Sequence, residues 1–174
     1  MRLLADVLAH LARQHVPAAV VGGVALAAHG IARATLDSDV LVVDARVLDE
    51  DFWTGWSGSA QLEVFRGDPD EALAGSIRVS REDEFVDVIV GRPGWQTAVL
   101  ERCRTVEVRG VSLPIVDRAD LILLKLLAGG PQDLLDVELL LASDPVALRN
   151  EVETRLGSVP TALVDSWRRL PSRR

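Results

Sequence analysis

Residues 20–39 read VVGGVALAAHGIARATLDSD, and this stretch decides how the chain is interpreted. An apolar run ends at Gly22 and Gly23, and two aspartates, Asp37 and Asp39, stand one residue apart at the other end. The glycines predict the end of a strand and the start of a helix, where backbone N–H groups can face a phosphate. A tight turn without a ligand explains the same two glycines, so the pair alone leaves both interpretations open.

The two aspartates open a predicted apolar strand, SDVLVV. Because side chains at i and i+2 of a strand point to the same face, Asp37 and Asp39 are expected to project together. Two like charges held this close repel each other unless a cation lies between them, and Mg²⁺ commonly binds one or two carboxylates plus substrate phosphates. The alternative is that Asp37 caps a turn and Asp39 faces solvent.

Asp87 is a third unusual carboxylate, since it interrupts the predicted strand EFVDVIVG. In such a strand it is expected either to face a site or to pair with an arginine. If this strand lies beside SDVLVV, Asp37, Asp39 and Asp87 come close together. Three neighbouring carboxylates are what two-metal phosphoryl chemistry requires.

The composition limits the classes of function. The chain has 174 residues, 48% of them hydrophobic, which suits one domain with or without a small helical appendage. A net charge of -7 argues against tight binding to duplex DNA, but not against a nucleotide whose phosphates a metal neutralises. Cys103 is the only cysteine, so we expect no intrachain disulfide and a cytoplasmic location. No apolar run approaches a membrane span, so no membrane partner is expected.

Periodicity predicts an α+β fold in which helices flank a mixed, mostly antiparallel sheet. We expect an α/β core over residues 1–116 and a C-terminal helical region over 117–174, packed on the core. Predicted strands cover 18–23, 38–43, 61–66, 76–81 and 84–91, with a hairpin over 105–116, and predicted helices cover 2–15, 24–31 and 95–103.

Lys125 is the only lysine among 19 basic residues, and it lies in the apolar run LILLKLLAG. It either reaches the surface along its stem or faces a charged ligand, and an ammonium acts on a phosphate as a compact point charge. Asp133 and Asp136 share a face of the next predicted helix. Asp133 alternatively serves as a first-turn partner of the helix dipole after Pro131.

These motifs together resemble the nucleotidyltransferase superfamily that includes polymerase beta. The resemblance rests on VVGG, thirteen intervening residues, DSD before an apolar strand, and the later carboxylate in VDVIV. The segment HGIARATLDSDVLVV, and RADLILLKLLAGGPQDLLDVELL after it, look more narrowly like small bacterial nucleotidyltransferases related to AbiEii-type abortive-infection toxins.

The resemblance implies a set of site residues. It puts Gly22 and Gly23 at the triphosphate of the nucleotide. The implied ligands of Mg²⁺, with Mn²⁺ as an alternative, are Asp37, Asp39 and Asp87. Asp87 would also help deprotonate the acceptor hydroxyl. The remaining predicted nucleotide-binding residues are Lys125, Asp136 and Arg33, the last because its position suits either a phosphate or charge neutralisation of the aspartates.

The implied activity is transfer of a nucleoside monophosphate from an NTP to an acceptor hydroxyl, in a toxin-like role. The acceptor would be a tRNA 3' end, a protein or a small molecule, and an antitoxin would be a further partner. The alternative is a fold that has lost catalysis and binds a nucleotide or partner. Two departures bear on this choice: Ser38 replaces an apolar residue of the family, and Gly129-Gly130 stands where many relatives carry an arginine.

Overall fold

The computed structural model describes residues 1–32, 37–56 and 60–171. The chain divides into two compact units, Met1–Val116 and Asp117–Arg174. The first unit carries a β-sheet with helices, and the second is helical.

The part of the first unit that the structure describes contains seven strands and three α-helices. The strands are β1 (Ala18–Val21), β2 (Asp37–Val42), β3 (Gln61–Arg66), β4 (Leu73–Arg81), β5 (Glu84–Gly91), β6 (Arg104–Val108) and β7 (Val111–Ile115). The helices are α1 (Arg2–Arg13), α2 (Gly22–Ala28) and α3 (Trp95–Arg102), with 3-10 turns at Ala45–Leu48 and Glu50–Trp53.

Among the described residues the strands form one sheet in the order β3-β4-β5-β2-β1-β7-β6. Strand β1 pairs with β7, and β2 pairs with β5, in parallel, while the other neighbours are antiparallel. The predicted α+β class and the mixed, mostly antiparallel sheet are therefore confirmed.

Burial explains why these elements form. Helix α1 places Leu3, Leu4, Val7 and Leu11 on one buried face, at the spacing of a helix with one apolar stripe. Strand β2 has two halves: its last three residues are fully buried, whereas the first three, which include both aspartates, are only partly buried. The acidic end of the strand therefore borders solvent while its apolar end anchors it in the core.

Strand β4 is longer than the sequence pattern predicts. It begins at Leu73, inside the segment GDPDEALAG that reads as a loop, and the pairing with β5 shifts between Leu73 and Gly75. A bulge at a glycine lets a strand continue through residues that otherwise favour a turn.

The second unit contains, in its described part, α4 (Arg118–Ala128), α5 (Pro131–Ser143), α6 (Pro145–Arg155) and α7 (Thr161–Arg169), with a 3-10 turn at Leu156–Ser158. Gly129, in the left-handed region at φ 67°, ends α4, and Pro131 opens α5. None of the helices that the structure describes is long and apolar enough to cross a membrane.

Candidate active site

One row of side chains crosses the centre of the sheet of the first unit. Asp39 of β2 is the register partner of Asp87 of β5, Asp87 is the partner of Arg78 of β4, and Arg78 is the partner of Glu63 of β3. Register partners on adjacent strands project to the same face. Asp37, two residues before Asp39, shares this face. Strand β5 therefore lies beside β2, which contains SDVLVV. This arrangement places Asp87 next to Asp37 and Asp39.

Gly22 lies directly against Asp39. Strand β1 ends at Val21, which is the register partner of Asp39, so the next residue turns across that carboxylate. A Cβ atom at Gly22 would lie 2.7 Å from Cγ of Asp39 and closer still to Oδ2, and the Gly22 backbone has φ 62°. Only glycine meets both requirements without a shift of the backbone or of Asp39.

Arg78 holds Asp87 by two hydrogen bonds. Its Nε donates to Oδ1 at 2.8 Å, and its Nη2 donates to Oδ2 at 2.7 Å. The same Nη2 lies 3.6 Å from Oδ2 of Asp37, and the guanidinium lies over the Phe85 ring, 5.9 Å from its centroid. Hydrogen bonding to Asp87 and its negative charge raise the pKa of Arg78, so this arginine is a permanent cation within the row.

The row formed by Asp37, Asp39, Asp87, Arg78 and Glu63 is called the acidic row below. Some of its carboxylates suit a divalent cation. The oxygens of Asp37 and Asp39 suit Mg²⁺ chemically, and their shared face provides the place. Asp87 differs, because both of its oxygens accept hydrogen bonds from Arg78. Within the described residues, no group of three or more His, Cys, Asp or Glu side chains is arranged to hold a metal ion. The structure thus offers three neighbouring carboxylates, of which Asp87 and Asp37 both form ion pairs with Arg78.

An open cleft of about 690 Å³ lies over this row. It is lined by residues of β2, β3, β4, β5 and the loop between β3 and β4, among them Asp39, Asp87, Arg78, Glu63, Phe65 and Glu71. The volume is in the range of small-molecule sites. Phe65 is 65% exposed although its ring is apolar, which leaves an aromatic surface at the cleft.

Lys125 belongs to the second unit, where it faces two carboxylates of α5. Its Nζ lies 2.7 Å from Oδ1 of Asp133 and 2.9 Å from Oδ2 of Asp136, which is fully buried. Burial lowers the pKa of Lys125, but the hydrogen bonds to Asp133 and Asp136 outweigh burial and give a raised pKa. In the structure Lys125 faces two aspartates of its own unit, and the contacts of Lys125 and Asp136 with a nucleotide stay predictions.

The glycines at the α4–α5 junction have a local structural reason. The left-handed Gly129 ends α4, and a Cβ at Gly130 would lie 3.0 Å from Oδ2 of Asp133. Asp133 also accepts a hydrogen bond from the Gly130 N–H at 3.2 Å. An arginine at either position would strain the backbone or crowd this cap. The two glycines at this junction are therefore explained by the local conformation of the chain.

Two residues that the sequence did not single out now belong to the site, Arg78 and Phe65. The signal for Arg78 was present: the strands around Glu82-Asp83 form a hairpin, and counting outward from this turn pairs Arg78 with Asp87. Arg33, which the sequence assigned to phosphates or to the aspartates, lies outside the described residues.

Comparison with solved structures identifies the fold. The solution structure of the antibiotic-resistance factor ANT(2'')-Ia superposes with a TM-score of 0.54 at 14% identity, over 90% of this chain and 92% of that one. Its crystal structure in complex with adenylyl-2''-tobramycin gives 0.55 at 15%, over 89% and 97%. The Thermotoga maritima protein TM1012, a proposed nucleotidyltransferase, gives 0.56 at 16%, over 74% and 83%. The chain has the nucleotidyltransferase fold.

Sequence comparison adds no closer relative. No family model matches the chain, and no curated protein matches it. The nucleotidyltransferase fold thus stands on structural likeness, and the assignment of activity depends on the geometry of the acidic row.

Proposed function

We propose that this protein is a metal-dependent nucleotidyltransferase that transfers a nucleoside monophosphate from an NTP to an acceptor hydroxyl. The observation that carries the proposal is the register pair Asp39–Asp87 at the centre of the sheet, with Gly22 packed against Asp39. In a chain with the nucleotidyltransferase fold, a glycine turn beside paired strand carboxylates is the arrangement that the resemblance predicts.

In the proposed reaction, the acceptor oxygen forms a bond to the α-phosphorus, and the bond between the α- and β-phosphates breaks. Pyrophosphate leaves, and the hydroxyl proton passes to Asp87 or to solvent. The protein contributes positioning and charge stabilisation without forming a covalent intermediate. The bare backbone at Gly22 leaves room for the Asp39 carboxylate, and the triphosphate would lie against the backbone N–H groups of the Gly22-Gly23 turn.

Asp37 and Asp39 are the residues that would hold the divalent cation, Mg²⁺ or Mn²⁺. When bound, such a cation would neutralise charge on the phosphates. The pair lies at the partly buried end of β2, beside the cleft, where phosphate oxygens can complete the coordination. As a third ligand, Asp87 would use the lone pairs that its two hydrogen bonds to Arg78 leave unoccupied.

For the acceptor, the proposal includes a small molecule, a tRNA 3' end and a protein. The small molecule is supported by ANT(2'')-Ia, which was solved in complex with adenylyl-2''-tobramycin. The resemblance of HGIARATLDSDVLVV to AbiEii-type proteins supports a toxin-like role with an antitoxin, in the cytoplasm.

A labelling screen tests the proposal. Purified protein is incubated with Mg²⁺ and each α-labelled NTP, together with total tRNA, cell protein or a panel of aminoglycosides. Label transfer by the wild type that is lost in Asp39→Asn identifies the enzyme, its base and its acceptor. The matched control is Asp6→Asn, which removes the same charge from an exposed ion pair with Arg81. Mg²⁺-dependent NTP binding without transfer to any acceptor would favour the alternative function, in which the protein binds a nucleotide but has lost catalysis.

A further inference from the structure

Arg92, which follows the last residue of β5, contacts the loop between β3 and β4. Its Nε donates to the carbonyl oxygen of Glu71 at 2.7 Å, and its Nη2 donates to those of Asp68 at 2.7 Å and Leu73 at 3.3 Å. Three carbonyl groups of one short segment therefore converge on a single guanidinium. Because the donors of a guanidinium are planar and fixed, such bonds hold the acceptors at defined positions.

The backbone of Arg92 is itself held by Gln96, in the first turn of α3. Oε1 of Gln96, a buried side chain, accepts a hydrogen bond from the Arg92 N–H at 2.7 Å. Gly91 makes room for this contact, because a Cβ atom there would lie 2.7 Å from Oε1 of Gln96. Arg92 is therefore fixed by its backbone on one side and by its guanidinium on the other.

The loop held by Arg92 forms part of the wall of the cleft. Glu71 and Leu73 accept hydrogen bonds from Arg92, and both line the cleft over the acidic row. Leu73 pairs with Gly91, four residues along β5 from Asp87. At a rise of about 3.3 Å per residue, this end of the cleft lies about 13 Å along the strand from the carboxylate.

The proposed reaction assigns this end of the cleft to the acceptor. The attacking oxygen and the leaving pyrophosphate stand on opposite sides of the α-phosphorus. The triphosphate is proposed at the Gly22-Gly23 turn, which borders Asp39 at the β1 edge of β2. The acceptor oxygen would therefore approach from the side of β5, β4 and β3, where the loop lines the cleft.

We propose that Arg92 is a positioning residue that holds the loop between β3 and β4 as a wall of the acceptor site. This inference rests on the proposed function, and it adds which substrate the loop contacts and which side chain keeps the loop in place. Arg92 acts on the acceptor through Glu71 and Leu73, while the carboxylates of the acidic row act on the reacting atoms.

Two substitutions separate the geometry of Arg92 from its charge. Arg92→Ala removes all three side-chain bonds, whereas Arg92→Lys keeps the positive charge but loses the planar set of donors. Arg92 is partly exposed, so both variants are expected to fold, which circular dichroism checks. Arg66→Ala is the matched control, because Arg66, at the end of β3, donates to the carbonyl oxygen of Leu48 and to Asp49. It loosens the same hairpin at a different contact.

The experiment is steady-state kinetics with the acceptor found by the labelling screen. Both Arg92 variants should raise the KM for the acceptor about tenfold and leave kcat and the KM for the NTP within about twofold of wild type. Loss of folded protein alone would lower kcat without changing KM, so this split separates positioning from a general structural effect. Arg66→Ala should keep all three constants near the wild-type values.

Hydrogen exchange gives a second measurement that needs no acceptor. The N–H of Glu71 donates to the carbonyl oxygen of Asp68 within the loop at 3.0 Å. This N–H should exchange faster in Arg92→Ala than in wild type or Arg66→Ala, because the loop opens more often once the guanidinium is removed. Equal exchange rates would show that Arg92 does not hold the loop.

The other outcomes of the kinetics also contradict defined parts of the inference. A raised KM for the NTP alone, or unchanged constants in Arg92→Ala, would overturn the acceptor site at the loop and leave the proposed function standing. Wild-type constants in Arg92→Lys, or an equal rise in KM in Arg66→Ala, would overturn positioning by the three bonds of Arg92. If wild type transferred label to no acceptor, the proposed function would fail and the acceptor site with it.

Discussion

The carboxylate of Asp39 occupies the space in which Gly22 would carry a side chain. A Cβ atom there would lie 2.7 Å from Cγ of Asp39, and the Gly22 backbone is left-handed at φ 62°. The register of β1 with β2 causes this contact, because Val21, just before the glycine, pairs with Asp39. The glycine turn and the aspartate pair of this short sequence stretch therefore meet in one contact, between Gly22 and Asp39.

Substitution Gly22→Ala is expected to lower both stability and activity. The left-handed backbone alone costs about 1–2 kcal/mol for a residue with a Cβ, and Asp39 must move in addition. Gly30→Ala is the matched control, since Gly30 has φ 85° but a Cβ added there would meet nothing within 4 Å. Urea unfolding should show a larger loss for Gly22→Ala than for Gly30→Ala. Equal losses would contradict the contact between Gly22 and Asp39.

Substitution Lys125→Met is expected to destabilise the protein strongly. It leaves the fully buried Asp136 without the ammonium 2.9 Å away, and loss of one partner of a buried pair typically costs about 3–5 kcal/mol. In the double variant Lys125→Met/Asp136→Leu, most of the free energy of unfolding should return. If the double variant were as unstable as the sum of the two single variants, the pair would not be coupled.

Because Lys125 forms ion pairs with Asp133 and Asp136, we also expect the free energy of unfolding to depend on pH. Because the pKa of Lys125 is raised in the folded state, its contribution is complete below the unfolded-state pKa of about 10.4 and declines as pH rises through the folded-state pKa. The free energy of unfolding of wild type should therefore fall above that pH more steeply than that of Lys125→Met. If guanidinium unfolding gave parallel pH profiles for wild type and Lys125→Met, the ionisation of Lys125 would not contribute to the pH dependence of stability.

Substitution of Phe65 is expected to weaken substrate binding without changing the free energy of unfolding. Its ring is 65% exposed and lines the cleft over the acidic row, where a base or ring of the substrate can stack. Stacking on an aromatic side chain contributes about 1–3 kcal/mol, so Phe65→Ala should raise KM about tenfold or more and leave kcat nearly unchanged. Phe65→Trp should keep KM near the wild-type value. An unchanged KM in Phe65→Ala would remove Phe65 from the binding surface.

Much of the fold could be read from local patterns. The alternation in QLEVFR and the apolar character of EFVDVIVG predict β3 and β5 with the observed bounds, because each strand is bordered by turn residues. The start of β4 at Leu73 could not be read in the same way. Its first residues favour a turn, and pairing with the neighbouring strands through a bulge overrides that local preference.

The site was less accessible to sequence reasoning, for a physical reason. Asp37 and Asp39 stand out because acidic residues at i and i+2 are costly in a strand, whereas Arg78 in SIRVSR fits an ordinary solvent-facing position. Its role depends on the register between β4 and β5, which is a relationship between segments. Similarly, the partnership of Lys125 with Asp136 depends on how α4 packs against α5.

The most direct test of the central claim compares two positions of the label in the NTP. With the acceptor found in the screen, α-labelled NTP should leave its label on the acceptor, and γ-labelled NTP should release its label as pyrophosphate. Both signals should disappear in Asp39→Asn and persist in Asp6→Asn. Transfer of the γ-label to the acceptor, or equal transfer by Asp39→Asn, would contradict nucleotidyl transfer at this row of carboxylates.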